Sequence, residues 1–227
     1  MIPNFFEYPF LIRIFDKLLS DQDKINIISV SKFLNKNKTK FKFYNKYICK
    51  YEDSNEWYFE SLTNIIVDKI FEFPKSITKL TFDYFFNDYV RNIPNTVTHL
   101  KFGDHFNQIL NEGDIPYSVT HLKFGLYFNQ KINDAIPKNV KYLKFGSYFN
   151  RSIHDLPHSI THLALGRFFN KNVKYFPKSI IYLEFEYGFD RKIDLPMSLK
   201  KLKGSHLFLW NNENDLLLIR PKIKYND

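Results

Sequence analysis

Residues 115–132 read IPYSVTHLKFGLYFNQKI, and nearly the same eighteen letters return on both sides of them at intervals of about twenty residues. With Pro116 as origin the equivalent prolines are Pro74, Pro94, Pro137, Pro157, Pro177 and Pro196, and successive spacings from Pro74 are 20, 22, 21, 20, 20 and 19. Three residues after each proline comes Ile77, Val97, Val119, Val140, Ile160, Ile180 or Leu199, and six after comes Leu80, Leu100, Leu122, Leu143, Leu163, Leu183 or Leu202. The eighth position holds Phe82, Phe102, Phe124, Phe145, Leu165 and Phe185, and the ninth holds Gly103, Gly125, Gly146 and Gly166. Then follow the pairs Phe86-Asn87, Phe106-Asn107, Phe128-Asn129, Phe149-Asn150 and Phe169-Asn170, with Phe189-Asp190 as a departure. A fixed period of this length is the signature of a stacked array, because one unit cannot bury its apolar face alone. The pattern predicts a solenoid over residues 73–203.

Side chains of an extended segment alternate between its two sides, so Leu122 and Phe124 point inward while His121 and Lys123 point outward. Pro116, which has no N–H to give a ladder, suits the segment before the strand. Gly125 reads as the residue that ends the strand and permits a tight bend. Phe128 supplies a second core layer, Ile132 closes the unit, and the row Asn87, Asn107, Asn129, Asn150 and Asn170 reads as inward amides that satisfy turn backbone groups.

Each unit resembles an FNIP repeat, a short member of the leucine-rich-repeat superfamily known from amoebae and the large DNA viruses that infect them. The pairs behind the resemblance stand here as Phe106-Asn107 with Ile115-Pro116, and Phe128-Asn129 with Ile136-Pro137. It implies a parallel sheet of short strands around the inner leucines. The seventh unit decays after Leu202, where Gly204 stands, and residues 204–227, with Leu207, Phe208, Leu209 and Trp210, read as a C-terminal cap.

Residues 1–48 lack the repeat. Phe10, Leu11, Ile14, Phe15, Leu18 and Leu19 fall at helical spacing, and Ser20-Asp21 offers an N-cap for a second helix carrying Ile25, Ile27, Ile28 and Val30. Ile14-Phe15, Leu18-Leu19, Asp23 and Val30-Ser31-Lys32 resemble an F-box, the helical motif that docks onto the Skp-type adaptor of a cullin-RING ubiquitin ligase. The match departs from that family where Phe6-Glu7 replaces Leu-Pro and where the family's late tryptophan is missing. The resemblance implies adaptor contacts through Phe10, Leu11, Ile14, Phe15, Leu18 and Val30. A plain helical cap over the first rung is the other reading of the same residues. Residues 49–72, with Trp57, Phe59, Leu62, Ile65, Ile66 and Ile70, read as a lead-in helix or N-terminal cap. The expected fold class is therefore α+β, a small helical module followed by a leucine-rich-repeat-like solenoid.

The chain of 227 residues has a formal net charge of +9 and a pI near 9.3, which favours anionic partners. Aromatic residues make up 19% of it, and the repeat assigns them to the core rather than to a stacking platform. The single cysteine, Cys49, forms no internal disulfide, which fits a reducing compartment and a cytoplasmic location, the host's if the chain is viral. The apolar start lacks a basic leader and carries Glu7 and Arg13, so it does not read as a signal peptide. Every charge from Lys32 to Lys50 is positive, interleaved with Phe41, Phe43, Tyr44 and Tyr47, which reads as a solvated face or as a contact for nucleic acid or an acidic partner.

The sequence contains no Gly-rich phosphate loop, HExxH or CxxC motif, so an enzyme is not expected, nor a cofactor. Two outward rows remain. Lys79, His99, His121, Tyr142, His162, Tyr182 and Lys201 follow the prolines by five, and Thr81, Lys101, Lys123, Lys144, Ala164, Glu184 and Lys203 by seven. His99 and His121 fall on neighbouring strands, but Tyr142 interrupts the row and a metal is not expected. Lysines placed opposite one another on adjacent strands repel, and Lys101, Lys123 and Lys144 accept that cost. His99, Lys101, His121, Lys123, Tyr142, Lys144 and His162 are thus the candidate client-binding residues. The expected function is a non-enzymatic, substrate-recruiting subunit of a ubiquitin ligase, with a Skp-type adaptor at the N-terminal helices and a client protein on the array. The alternatives are an interaction scaffold without a ligase and a basic nucleic-acid binder.

Overall fold

A computed structural model of the chain describes residues 47–48, 64–67, 73 and 75–204. Nine short strands form one wholly parallel sheet in chain order: β1 (Tyr47–Ile48), β2 (Asn64–Val67), β3 (Lys79–Phe82), β4 (His99–Lys101), β5 (His121–Lys123), β6 (Tyr142–Lys144), β7 (His162–Leu165), β8 (Tyr182–Phe185) and β9 (Lys201–Lys203). Strands β3 to β9 fall on the seven expected repeats. Their register places each repeat position opposite itself, as in Leu100↔Leu122 and Leu122↔Leu143.

Each rung returns to the next strand through two turns. The proline carbonyl accepts the N–H three residues on, as in Val119 N–H to Pro116 O at 3.1 Å, and Phe149 N–H bonds to Gly146 O at 3.2 Å in the second turn. Just before the strand one carbonyl serves two donors of the following rung: Thr98 O accepts from Thr120 N–H at 2.9 Å and His121 N–H at 3.1 Å. Rungs are therefore stitched together outside the strands as well, which meets the demand that buried backbone groups find partners.

The inner leucines and the aliphatic residues before them are buried, and the phenylalanines of the two core layers stack from rung to rung, the first layer being interrupted by Leu165. Phe102, Phe124 and Phe145 follow one another at 5.3 Å between ring centres, and Phe106, Phe128 and Phe149 at 5.9 and 6.1 Å. Within a rung Phe124 lies on Phe128 at 4.0 Å. Such offset-stacked pairs add to the burial energy of the rings themselves.

The glycine row has another cause than the one expected. Among the described glycines only Gly113 and Gly188 have positive φ, and neither belongs to the row. A Cβ on Gly125 would lie 2.0 Å from Gly103 O, and one on Gly146 would lie 1.9 Å from Gly125 O. These positions bring the backbones of successive rungs too close together for any side chain.

The asparagine row is a ladder, as expected, but it runs along the surface instead of facing inward. The side-chain carbonyl of Asn87 accepts Asn107 N–H at 2.9 Å, Asn107 accepts Asn129 N–H at 2.9 Å, and Asn129 and Asn150 accept from Asn150 and Asn170 at 3.0 Å. At the departure Asp190, the next residue, Arg191, donates from Nε to Asn170 Oδ1.

Within the segment read as a lead-in helix or N-terminal cap, residues 64–67 form a strand rather than a helix. Asn64–Val67 pairs with β3 in full register, and Ile65 and Val67 are buried in the same core. Tyr47–Ile48, at the end of the expected helical module, pairs in turn with β2. Among the described residues all regular structure is β-strand. The remaining residues of the expected N-terminal module and those of the C-terminal cap from 205 onward lie outside the described residues. No helix among the described residues is long and apolar enough to cross a membrane.

Candidate functional site

The outward positions of β3 to β8 line one groove of about 460 Å³ on the strand face. It brings together all seven candidate client-binding residues, His99, Lys101, His121, Lys123, Tyr142, Lys144 and His162, and adds Lys79, Thr81, Ala164, Tyr182 and Glu184. The adaptor candidates Phe10, Leu11, Ile14, Phe15, Leu18 and Val30 lie outside the described residues.

Its first row is a column of stacked rings. His99 lies on His121 at 4.1 Å with planes 9° apart, His121 on Tyr142 at 4.2 Å and 8°, and Tyr142 on His162 at 4.2 Å and 25°. Tyr182 follows at 5.6 Å, and Lys201 Nζ caps the column 5.5 Å from the Tyr182 ring centre. Register alone dictates this column, since parallel strands place equivalent side chains directly beside one another. Ring faces are consequently covered by their neighbours, and the groove meets ring edges.

Every histidine of the column is preceded by threonine. Thr98, Thr120 and Thr161 each place Oγ1 at 2.9 Å from Nδ1 of His99, His121 and His162. The same hydroxyls approach the carbonyls of Thr78, Thr98 and Lys141 at 3.2, 3.3 and 3.2 Å, but those carbonyls already accept two backbone N–H groups apiece. A carbonyl has two lone pairs, so the hydroxyl proton is best used on the ring nitrogen. That assigns the ring proton of each neutral histidine to Nε2.

Burial lowers the pKa of all three histidines, with Lys79 adding for His99, and with His99, His162, Lys141 and Lys79 adding for His121. At neutral pH the three histidines are uncharged and present N–H donors.

The second row carries the charge. Lys101, Lys123 and Lys144 stand side by side, and burial together with its two lysine neighbours lowers the Lys123 pKa. Beyond Ala164 the sign reverses. Glu184 accepts from Lys203 Nζ at 2.9 Å and Tyr182 Oη at 2.8 Å, and Glu186 reaches back two rungs to Lys144 at 3.6 Å, where Ser147 Oγ also donates to it at 3.3 Å. Burial raises the Tyr182 pKa to about 12, helped by the Glu184 hydrogen bond and charge. Burial would raise Glu184 too, but hydrogen bonds from Lys203 and Tyr182 and the charges of Lys144 and Lys203 hold it below the ordinary carboxylate value. The groove is thus cationic over β4 to β6 and internally neutralised over β8 and β9.

A second exposed column departs from the expectation that the aromatic residues of the repeat are mostly core. Phe85, His105, Tyr127, Tyr148 and Phe168 follow one another at 5.3, 5.2, 5.2 and 4.9 Å on the outside of the array. Phe85 is 74% exposed and Phe168 48%. The signal was present in the letter before each Phe-Asn pair, which is aromatic in five units and becomes Gly188 in the sixth. Among the described residues no group of three or more His, Cys, Asp or Glu is placed to hold a metal ion.

Comparison with known proteins gives two findings. The FNIP Repeat family model matches five overlapping stretches, residues 68–105, 89–127, 106–148, 128–168 and 149–187, which together span just over half the chain. A solved structure described as "The crystal structure of CroV588 a novel circular LRR protein structure" is 28% identical with a TM-score of 0.53. The similarity covers 74% of this chain and 34% of that one, so the chain spans about a third of the length of the solved protein. A comparison with curated proteins gives no match.

Proposed function

The chain belongs to the FNIP repeat family, and from that premise we propose that it is a non-enzymatic interaction protein that holds an acidic segment of a client protein on the groove over β4 to β6. The observation that carries this reading is the cationic groove itself. Lys101 and Lys123 face each other across one strand pair, and no carboxylate among the described residues lies within ion-pair reach of either. Rung geometry explains why phenylalanine, leucine and glycine recur, but it does not require lysine at an outward position. Like charges on directly opposed positions destabilise the pair, and an anionic partner removes that cost. The same N-terminal letters that resemble an F-box extend the reading to recruitment of a Skp-type adaptor through Phe10, Leu11, Ile14, Phe15, Leu18 and Val30, which would make the captured client a ubiquitin-ligase substrate.

Affinity capture of the tagged full chain from its host cell tests both parts. Charge reversal of Lys101, Lys123 and Lys144 to Glu is expected to abolish capture of the client and leave an adaptor bound, whereas Leu11→Asp with Ile14→Asp does the opposite. Unchanged client capture by the charge-reversed chain, set against loss on Tyr127→Ser with Tyr148→Ser, would move the client site to the outer aromatic column. Failure of the wild-type chain to retain any Skp-type adaptor would leave a scaffold without a ligase.

A further inference from the structure

Among the described strands, β4 and β5 are the one neighbouring pair that repeats both outward residues, His99 and Lys101 beside His121 and Lys123. The four form a patch of roughly 5 by 7 Å, set by the spacing between strands and by two residues of rise along a strand. Its composition differs from the rest of the groove in two respects. Lys144 is paired with Glu186, but Lys101 and Lys123 form no ion pair with a described carboxylate, and the attraction of Lys123 to Asp104 and Glu186 is outweighed by burial and by its lysine neighbours. The two imidazoles are nearly parallel at 4.1 Å, and with Nδ1 of each held by its own threonine both keep an Nε2–H at the groove edge. The patch therefore offers two ammonium groups and two neutral N–H donors to one compact acceptor.

A single carboxylate balances one of those lysines and leaves the other exposed to its neighbour. A phosphate monoester carries nearly two charges and three strong acceptor oxygens, enough to bridge both lysines while accepting from both rings. Resting on the client-groove reading above, we propose that the patch of His99, Lys101, His121 and Lys123 is a phosphate-monoester site, and that the segment held in the groove is a phosphorylated peptide. Two features favour a peptide over a nucleic acid. Ring faces in the column cover one another, which removes the platform on which bases stack. Glu184 at the far end of the groove and the Glu186 carboxylate beside Lys144 would also repel a continuing phosphodiester chain, whereas a peptide need carry charge only where the free lysines are.

Binding of the full chain to degenerate peptide libraries, alike except for one fixed position that is phosphoserine, aspartate or serine, tests the proposal by fluorescence anisotropy with inorganic phosphate as competitor. The phosphoserine library is expected to bind about tenfold or more tightly than the aspartate one, as two charge-assisted contacts to a dianion imply. Inorganic phosphate should displace it, Lys101→Ala with Lys123→Ala should abolish the preference, and Lys171→Ala with Lys174→Ala, on exposed residues away from the groove, should not. His99→Gln with His121→Gln, which retains N–H donors, is expected to keep a larger part of the preference than the lysine pair of substitutions. Equal binding of the aspartate library, equal loss in the Lys171 and Lys174 variant, tighter binding of a random oligonucleotide, or no binding of the phosphoserine library would each overturn it. Phosphatase treatment separates this from the underlying reading: a client still captured after dephosphorylation overturns the phosphate site and leaves the client groove standing. Loss of capture on dephosphorylation is the expected result, whereas failure of the untreated wild-type chain to capture any client while phosphopeptide binding is intact overturns the client reading and leaves the phosphate site.

Discussion

The inner column of Phe-Asn phenylalanines and the ring column on the strand face both stack along the array, and they obey different rules. Inside, the rings of Phe106, Phe128, Phe149 and Phe169 are identical and wholly buried. On the face, His99, His121, Tyr142, His162 and Tyr182 keep the stack while changing chemistry from rung to rung. Parallel register forces both to stack, so stacking as such says nothing about function. What separates them is tolerance. A core position admits only apolar side chains that fill the volume between neighbouring rungs, so that Leu165 replaces phenylalanine in the first layer without changing chemistry. A face position can exchange imidazole, phenol or, at the ends of the row, the lysines Lys79 and Lys201. The neighbouring lysine row, which changes to Ala164 and Glu184, shows the same freedom.

The contrast can be broken most severely at the glycine row, where the constraint is backbone against backbone. Gly125→Ala places a Cβ 2.0 Å from Gly103 O, and neither rung can retreat without breaking the hydrogen bonds that stitch them. Loss on the order of 4 kcal/mol or more is expected, read as loss of a single cooperative melting transition. A variant that melts like wild type would show that the rungs are not held at this separation. One step down, Phe128→Ala empties a wholly buried site between Phe106 and Phe149. It should cost about 3–5 kcal/mol, and because stability in a stacked array is shared between neighbours, hydrogen exchange should accelerate in the rungs on both sides. Acceleration confined to the rung of Phe128 would contradict that coupling.

These two positions also show how far the sequence could be read. The period of the prolines and leucines fixed rung length, and rung length fixed register, so the opposition of His99 with His121 and of Lys101 with Lys123 followed from spacing alone. Gly125 was visible as a constraint, but its cause was not. A turn glycine and a close-approach glycine look alike in a string of letters, and only the distance to the neighbouring rung separates them. Strand β2 was hidden for a related reason: Asn64–Val67 precedes β3 by 15 residues rather than 20 and carries no Phe-Asn pair, so its pairing depends on contacts that no local pattern announces. The ion pair of Lys144 with Glu186 was hidden as well. It spans 42 residues in sequence but only two rungs in space, and passes a position where Ala164 leaves room. Spacing thus identified which residues share the groove, while the division of its lysines into committed and uncommitted ones required their surroundings.

The gentlest way to test the contrast is with protons, because only the face column can titrate. Burial holds His99, His121 and His162 below their unfolded value of 6.5, with Lys79 adding for His99 and with His99, His162, Lys141 and Lys79 adding for His121. Below 6.5 the unfolded chain binds protons that the folded chain still refuses, so stability falls as pH drops through that window, and the full contribution is present above it. Melting temperature should therefore decline modestly between pH 7 and pH 5, since all three rings are well short of full burial. Replacing the three histidines by glutamine should flatten that part of the profile and leave the transition at pH 7.5 nearly where it was. If the histidine-free array declined equally, the acid sensitivity would belong to groups outside the column, and the ring edges would be too well solvated to discriminate between charged and neutral forms.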